Sequence, residues 1–240
     1  MSLKSVPIAI DPSLNPASMK PAFDRFGRIH IPGFLTPEAA ALVHEVLDAE
    51  TLWVCSTRGG DQVADVPIEK LEAFTPEQKA TFIDLAHAEA GEGFHYLYDT
   101  VRISNGVDLF QPVHPVLTQV LRFMNTAPFL EFVRALTGDP RCAYVDGQAT
   151  RFRPGQYLNH HDDEMDSRLY AYVLNLTPRW RTDWGGVLNF LDDDGHVAEG
   201  YRPSWNALNL FRVPQLHAVS YVAPFARAPR LSITGWVRAR

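Results

Sequence analysis

The sequence lacks an excess of positive charge and has very little cysteine. Its 240 residues contain 22 Lys and Arg against 28 Asp and Glu, which gives a net charge of −6. Proteins that bind nucleic acids neutralise phosphates with clustered basic side chains, so we expect no nucleic-acid partner. The two cysteines, Cys55 and Cys142, are too few for a disulfide framework or a cysteine-rich zinc site.

Long hydrophobic runs are also missing. No window approaches the roughly 18 consecutive apolar residues of a membrane span. Prolines interrupt the first residues, MSLKSVPIAIDPSLNP, before the apolar core of a signal peptide could form. We therefore predict no membrane partner and a cytoplasmic location.

The remaining composition is that of a globular protein, with 46% hydrophobic residues. Residues 1–22 are proline-rich and aperiodic, which predicts an extended N-terminal arm. Residues 23–240 are predicted to form a single domain. Within it, 23–139 is a helix-rich support and 140–240 a β-rich core.

Helix and strand signals in the first part come from local motifs. Thr36-Pro37-Glu38 and the same triplet at 75–77 each place a capping residue before a proline, the usual start of a helix. Apolar and polar residues alternate over 26–35, which predicts a short strand. The two glycines within 53–63 predict a hairpin or a mobile loop. Two further helices are predicted over 113–125 and 127–137.

After Pro140 the pattern changes to short runs of period two, separated by Pro, Gly and Asp clusters. This pattern is typical of an antiparallel sandwich or jelly roll. The predicted strands are CAYVDGQATRF, YLNHHD, LYAYVLNLT, GGVLNFL, ALNLFRV, HAVSYV and RLSITGWVR.

The stretch LNHHDDE (158–164) holds two overlapping His-x-Asp pairs, His160 with Asp162 and His161 with Asp163. Residues two apart on a strand share a face, and two imidazoles with one carboxylate form the facial triad of non-haem iron oxygenases. Either pair could supply two ligands.

A third ligand has two candidates after the pair. His196 lies in the acidic, turn-like LDDDGH, whereas His217 begins a predicted strand. His217 is therefore the better candidate. Arg230 begins the last predicted strand. It is either a surface charge or a planar guanidinium that binds a dicarboxylate through two hydrogen bonds.

Four ordered segments resemble the iron- and 2-oxoglutarate-dependent dioxygenases of the prolyl 4-hydroxylase type: RFRPGQYLNHHDDE, LNLTPRWRTDWGGVLNF, LHAVSYV and RLSITGW. The likeness is greatest to the cytosolic branch that hydroxylates a proline in a ribosomal or transcription-related protein. It covers about 140–240, with a weaker match in FGRIHIPGFLTPE. It implies a mainly β fold, a double-stranded β-helix (jelly roll) packed against N-terminal helices.

The family pattern Tyr-Leu-x-x-His-x-Asp selects one of the two pairs. Counted from Tyr157, it implies His161, Asp163 and His217 as iron(II) ligands. Strand parity would put Tyr157, Asn159, His161 and Asp163 on one face. His160 and Asp162 would then stand beside the site or at its rim.

The resemblance also implies a 2-oxoglutarate site made of Arg230, Ser232, Tyr157 and Asn175. The sequence departs from the family at two tyrosines, which are replaced by Phe152 and by Asn175 or Val173. Their hydroxyls would be lost or supplied by Tyr157 or Tyr172. The substrate pocket is predicted to include Leu188, Val219 and Trp236.

The implied activity is hydroxylation of a C–H bond, most simply of a peptidyl proline, with release of succinate and CO2. Iron(II) is the cofactor, 2-oxoglutarate and O2 are cosubstrates, and ascorbate is the expected reductant. Two alternatives stay open: a hydroxylase of a free amino acid or other small metabolite, and a non-catalytic β-sandwich binding module with a structural metal. A structural site would be expected to have four protein ligands.

Overall fold

The computed structural model describes residues 6–50, 52–60, 62–104 and 113–240. Within these ranges no helix has the length and apolar character needed to cross a membrane. The described helices are α1 Pro16–Phe26, α2 Pro37–Ala49, α3 Ile68–Glu72, α4 Pro76–Glu92, α5 Pro115–Met124 and α6 Ala127–Thr137.

The predicted helices are confirmed, and proline occupies the start of α2 and α4. In α4, Thr75 and Gln78 form a capping box, in which each side chain bonds the backbone N–H of the other. The prediction of an extended arm is wrong for residues 16–22. Asn15 accepts a hydrogen bond from the Ala17 N–H and begins α1, whose Phe23 is fully buried.

The described strands form one antiparallel sheet. They are β1 Arg28–Pro32, β2 Val54–Gly59, β3 Gln62–Pro67, β4 Tyr96–Arg102, β5 Tyr144–Val145, β6 Gln148–Phe152, β7 Tyr157–His161, β8 Arg168–Asn175, β9 Leu188–Leu191, β10 Val197–Tyr201, β11 Ala207–Arg212, β12 His217–Val219 and β13 Arg230–Arg238. A short 3-10 helix, Thr182–Trp184, precedes β9. The hairpin predicted over 53–63 is confirmed as β2 and β3 for the described residues.

The sheet is curled into a nearly closed barrel. Ten of its strands follow one another in the order β1-β11-β8-β13-β6-β4-β7-β12-β9-β10, and β2, β3 and β5 lie off this path. Side chains join its two end strands. Arg28 of β1 and Glu199 of β10 form an ion pair of 2.6 Å, and the rings of His30 and Tyr201 lie 5.5 Å apart. The predicted mainly β architecture with helical support is confirmed.

Alternation along the strands divides the interior into two parts. Leu231 and Ile233 of β13 pack with the helices in the larger core. The intervening residues, such as Arg230 and Thr234, point into the barrel, where a smaller core includes Phe190. The candidate site lies inside the barrel on this inward face.

Candidate metal centre

His161, Asp163 and His217 converge inside the barrel, and one potential ligand atom from each lies within 4.8 Å of the others. His161 Nε2 is 3.5 Å from Asp163 Oδ1, and His217 Nε2 is 3.5 Å from Asp163 Oδ2. Asp163 lies just beyond β7 with φ of 63°, a left-handed conformation that Asp adopts more readily than most residues. No fourth His, Cys, Asp or Glu joins this group in the described part of the chain.

Both histidines are oriented by backbone carbonyls. Nδ1 of His161 lies 2.9 Å from Asn159 O, and Nδ1 of His217 lies 2.8 Å from Gln215 O. Because a carbonyl only accepts, each Nδ1 carries the proton, and each Nε2 presents its lone pair to the centre. Burial, followed by the neighbouring His161, lowers the pKa of His217 to about 4. The imidazole is therefore neutral, the form that binds metals.

A bulge in β7 determines which side chains enter the barrel. His161 pairs with His217, but Leu158 pairs with Val219, so three residues of β7 span two of β12. Leu158 and His161 consequently line the same cavity. The predicted strand parity, which put Tyr157 on the face of His161, is wrong because it assumed an unbroken alternation.

The structure contradicts the predicted 2-oxoglutarate role of Tyr157. Its hydroxyl lies 3.0 Å from Ala86 O and 2.9 Å from Nδ1 of His95, on the side of α4 and outside the barrel cavity. His160 is exposed and lines a separate outer groove of about 480 Å³, beside His87 and Tyr221. The bulge thus turns both residues away from the three candidate ligands.

The barrel cavity has a volume of about 450 Å³, within the range of small-molecule sites. His161, Asp163, His217 and Arg230 all line it. The predicted pocket residues Leu188, Val219 and Trp236 are also in its wall.

Arg230 is 1% exposed and begins β13 opposite Phe152, whose ring lies 5.0 Å from the guanidinium carbon. Its Nε has no hydrogen-bond partner, and no carboxylate of the described residues pairs with it. Burial lowers its pKa to about 10, so the side chain is still cationic at neutral pH. A buried cation without an anion is costly, and this one therefore fits an anionic ligand.

Gly186 makes room for Arg230. It has φ of 63°, and a Cβ there would meet Arg230 Cδ at 3.4 Å and the Trp180 ring at 3.1 Å. A larger residue would strain the backbone and press on the guanidinium stem.

A row of polar side chains follows Arg230 on the inward face. Ser232 and Thr150 share a hydrogen bond of 2.8 Å between their hydroxyls, and Asn175 pairs with Ser232 across β8 and β13. Asn175 is fully buried and its Oδ1 has no partner. Thr150, which the sequence interpretation missed, lines the cavity, whereas Ser232 and Asn175 are not among its lining residues.

Of the two tyrosines considered as replacement hydroxyls, Tyr172 lines the cavity wall. Its hydroxyl donates to Asp146 O at 3.0 Å. Burial raises the pKa of Tyr172 well above its usual value, so the phenol stays protonated.

An aromatic ladder lines another wall and was missed because β4 was not predicted. Phe94, Tyr96, Tyr98 and Phe152 follow one another with ring centroids 5.9, 5.4 and 5.2 Å apart. All four line the cavity, from the exposed Phe94 to the Phe152 ring beneath Arg230. Burial raises the pKa of Tyr98 to about 12 and keeps this wall uncharged.

Arg168 is another residue that the sequence did not indicate. Its Nη1 lies 3.3 Å from Asp163 Oδ1 and 3.2 Å from Asp163 O, and its guanidinium lies 3.5 Å from the centre of the Trp236 ring. Arg168 therefore fixes the carboxylate through a charged hydrogen bond while Trp236 holds the guanidinium in place.

Residues 147–238 match the sequence profile of the 2OG-Fe(II) oxygenase superfamily. The resemblance to iron- and 2-oxoglutarate-dependent oxygenases is confirmed. The matched segment contains every residue that the sequence predicted for the site. Its donor set of two imidazoles and one carboxylate, with a buried unpaired arginine in the same cavity, fits iron(II) and an anionic cosubstrate.

The chain is 28% identical over 210 residues to mouse prolyl 3-hydroxylase OGFOD1, a match that covers 82% of this chain. It spans 38% of the mouse protein's length. A Pseudomonas putida prolyl-4-hydroxylase structure superposes with a TM-score of 0.58 at 18% identity and covers 94% of this chain and 100% of that one.

A Trichoplax adhaerens prolyl hydroxylase, solved with a hypoxia inducible factor peptide fragment, gives a TM-score of 0.57 at 15% identity. It covers 93% of this chain and 89% of that one. At these identities the structures establish the fold alone, and they confirm the predicted jelly roll.

Proposed function

We propose that this chain is a non-haem Fe(II)- and 2-oxoglutarate-dependent dioxygenase that hydroxylates a peptidyl proline. The observation that carries the proposal is the convergence of His161, Asp163 and His217 in one cavity with the unpaired, buried Arg230. When bound, iron(II) supplies the oxidation in which O2 and 2-oxoglutarate yield succinate, CO2 and one hydroxyl on the substrate carbon.

In this proposal His161, Asp163 and His217 hold the metal on one side. The carbonyls that bond each Nδ1 keep both rings in the metal-binding tautomer. Arg168 orients the Asp163 carboxylate. The three-residue donor set favours an oxygenase over the structural-metal module, because structural zinc sites usually use four protein ligands.

Arg230 is proposed to bind the far carboxylate of 2-oxoglutarate, with Thr150, Ser232 and Asn175 as neighbouring polar groups. The aromatic ladder, which ends at Phe152, excludes water from the Arg230 guanidinium and the carboxylate proposed to bind it. The exclusion of water strengthens the electrostatic attraction between these two charged groups. Thr150 lines the cavity, and its hydroxyl is proposed to replace one of the family tyrosines, while Ser232 holds Thr150 through the hydrogen bond between their hydroxyls. Ascorbate is the proposed reductant.

A polypeptide substrate is supported by the form of the cavity mouth. Arg58 and Val63 of the β2–β3 hairpin line the cavity, and Val63 is exposed beside it. A hairpin at the mouth can close over an extended chain. The names of the mouse and Trichoplax relatives agree with a prolyl substrate. The cytoplasmic location predicted from the sequence is part of this proposal.

The test combines anaerobic titration of iron(II) and 2-oxoglutarate with a mass-spectrometric search for peptides that gain one oxygen atom. We expect 2-oxoglutarate turnover and oxygen gain on a proline only when all components are present. Asp163→Ala should abolish both, and His160→Ala is the matched control. Hydroxylation of free amino acids alone would replace the peptide proposal with the small-metabolite alternative.

The same products can be hydrolysed and compared with 3-hydroxyproline and 4-hydroxyproline. This comparison identifies the oxidised ring carbon, which differs between the names of the mouse and Pseudomonas relatives.

A further inference from the structure

The mouth of the barrel cavity is bordered by three exposed apolar side chains. Val63 is 61% exposed, Phe94 41% and Met165 54%, and all three line the cavity. They come from β3, from the residues before β4 and from the turn after β7. Exposed apolar groups gathered around one opening are typical of an interaction surface. We call the opening that these three residues border the mouth.

Acidic residues flank the mouth on the side of Met165. Asp162, Glu164 and Asp166 alternate with Asp163 and Met165, and all three are exposed. None of them forms an ion pair with another described residue. We call residues 162–166 the acidic turn.

The acidic turn is held in a defined conformation. Asp162 accepts a hydrogen bond from the Glu164 N–H at 2.9 Å, and the Gln215 N–H donates to Asp162 O at 3.2 Å. At its far end the Arg168 N–H donates to Met165 O at 3.2 Å. The exposed carboxylates are therefore presented from a fixed backbone, so a partner cation loses less freedom on binding there.

Two of the cations that line the cavity, Arg168 and Arg58, make contacts away from the exposed acids of the acidic turn. Arg168 is turned to Asp163 and Trp236. Arg58 stands on the hairpin, over the Phe94 ring at 5.2 Å, and its Nε donates to Gly60 O. The mouth consequently has an acidic side at Met165 and a basic side at Arg58.

Resting on the proposed function, we infer that the substrate is a polypeptide with lysine or arginine next to the hydroxylated proline. Its apolar groups contact Val63, Phe94 and Met165, and its basic side chains face the acidic turn. Charge complementarity of this kind determines which partners bind and speeds their association. The mouth is continuous with the proposed catalytic cavity, so a chain bound there can insert one residue toward the metal ligands.

Three peptides of equal length with one central proline test this inference. They carry lysine, glutamine or glutamate beside the proline, and their binding is measured by fluorescence anisotropy under anaerobic conditions with iron(II) and 2-oxoglutarate. We expect the lysine peptide to bind roughly three- to tenfold tighter than the glutamine peptide, with the glutamate peptide weakest. Added salt should reduce the difference.

A double variant, Glu164→Gln with Asp166→Asn, should remove most of the preference for the lysine peptide. Asp193→Asn with Asp194→Asn is the matched control, because these exposed acids lie in a turn that does not line the cavity. Equal affinities for the three peptides would overturn the inference, and so would a preference that survives the Glu164 and Asp166 changes.

Mass spectrometry of the same peptides after oxygen is admitted separates the two proposals. If no peptide gains oxygen although the lysine peptide binds best, the proposed reaction fails and the binding preference stands. If all three gain oxygen with the same KM, the reaction stands and the preference for a basic segment is wrong.

Discussion

His161 and His217 face each other across the β7–β12 ladder, with their ring centroids 4.2 Å apart. Two cationic imidazoles at this distance would repel each other in a buried site. Both rings carry their proton on Nδ1, where a backbone carbonyl accepts it, so both can be neutral donors toward one centre. The geometry of the pair fits two ligands of one metal ion.

Removal of one of the proposed ligands should therefore weaken metal binding strongly. We expect Asp163→Ala or His217→Ala to weaken iron(II) binding by at least about 100-fold, since two remaining donors cannot form the facial set. Calorimetric titration with iron(II) under anaerobic conditions measures this, and circular dichroism checks that the fold is intact. His160→Ala should bind iron(II) as the wild type does, and a large loss there would show that the ligand register is misassigned.

The sequence predicted α2, α4, α5, α6 and most strands because their signals are local, whereas α1 and α3 were not predicted. A Thr-Pro-Glu triplet begins α2 and α4, and alternation marks β8 and β13. β4 escaped prediction because Asp99 lies in its middle. This acid is fully buried and is satisfied by Arg151, Arg153 and Gln156, partners more than fifty residues away.

For the site, the family resemblance supplied the count from Tyr157 to His161 and Asp163, and His217 and Arg230 were found at the starts of two predicted strands; these four residues line one cavity. The same reasoning misplaced the side chain of Tyr157, because the bulge in β7 depends on its pairing with β12. Arg168 was also missed. Its role arises from contacts with Asp163 and Trp236, a pairing that no local pattern reveals.

Replacement of Arg230 should have opposite effects on binding and on stability. Arg230→Met removes the cation proposed to bind 2-oxoglutarate, so the Kd for 2-oxoglutarate should rise about 10- to 100-fold. The free protein should be as stable as the wild type or more so, because an unpaired buried charge is replaced by an apolar chain. Calorimetry and thermal unfolding measure the two effects, and an unchanged Kd would assign the carboxylate to another residue.

Arg168 is expected to act through Asp163. Arg168→Met should weaken iron(II) binding about tenfold, since the carboxylate loses the charged group that orients it. Arg168→Lys should restore little of the iron(II) affinity, because lysine lacks the planar group that stacks on Trp236. Arg181→Met is the control, as Arg181 pairs with Asp183 on the surface. Metal titration of the three variants distinguishes a positioning role from a general loss of charge.

His95 should make the fold sensitive to acid. The ring is 1% exposed, 3.0 Å from Arg58 O and 2.9 Å from the Tyr157 hydroxyl. Burial is the main cause that lowers its pKa below the ordinary value of 6.5. The unfolded chain therefore binds a proton more readily, and the stability present above pH 6.5 is lost as the pH falls toward the lower folded pKa.

His95→Gln should reduce this pH dependence, because glutamine does not titrate. Urea unfolding at a series of pH values measures the slope of the free energy of unfolding. His196→Gln is the control, since His196 is exposed in the turn before β10. Identical slopes for wild type and His95→Gln would contradict the assignment.

Both cysteine thiols should be unreactive in the native protein. Burial raises the pKa of Cys55 to about 12 and that of Cys142 to about 11, and both residues are buried. The thiolate is the reactive form, so at pH 8 only a very small fraction of either group can react. A chromogenic disulfide reagent should therefore label native protein slowly and label both cysteines at once after denaturation. Rapid labelling of Cys55 in native protein would mean that the sheet opens at β2 and β4, because Cys55 lies between Ala86, Leu97 and Tyr157 beneath α4.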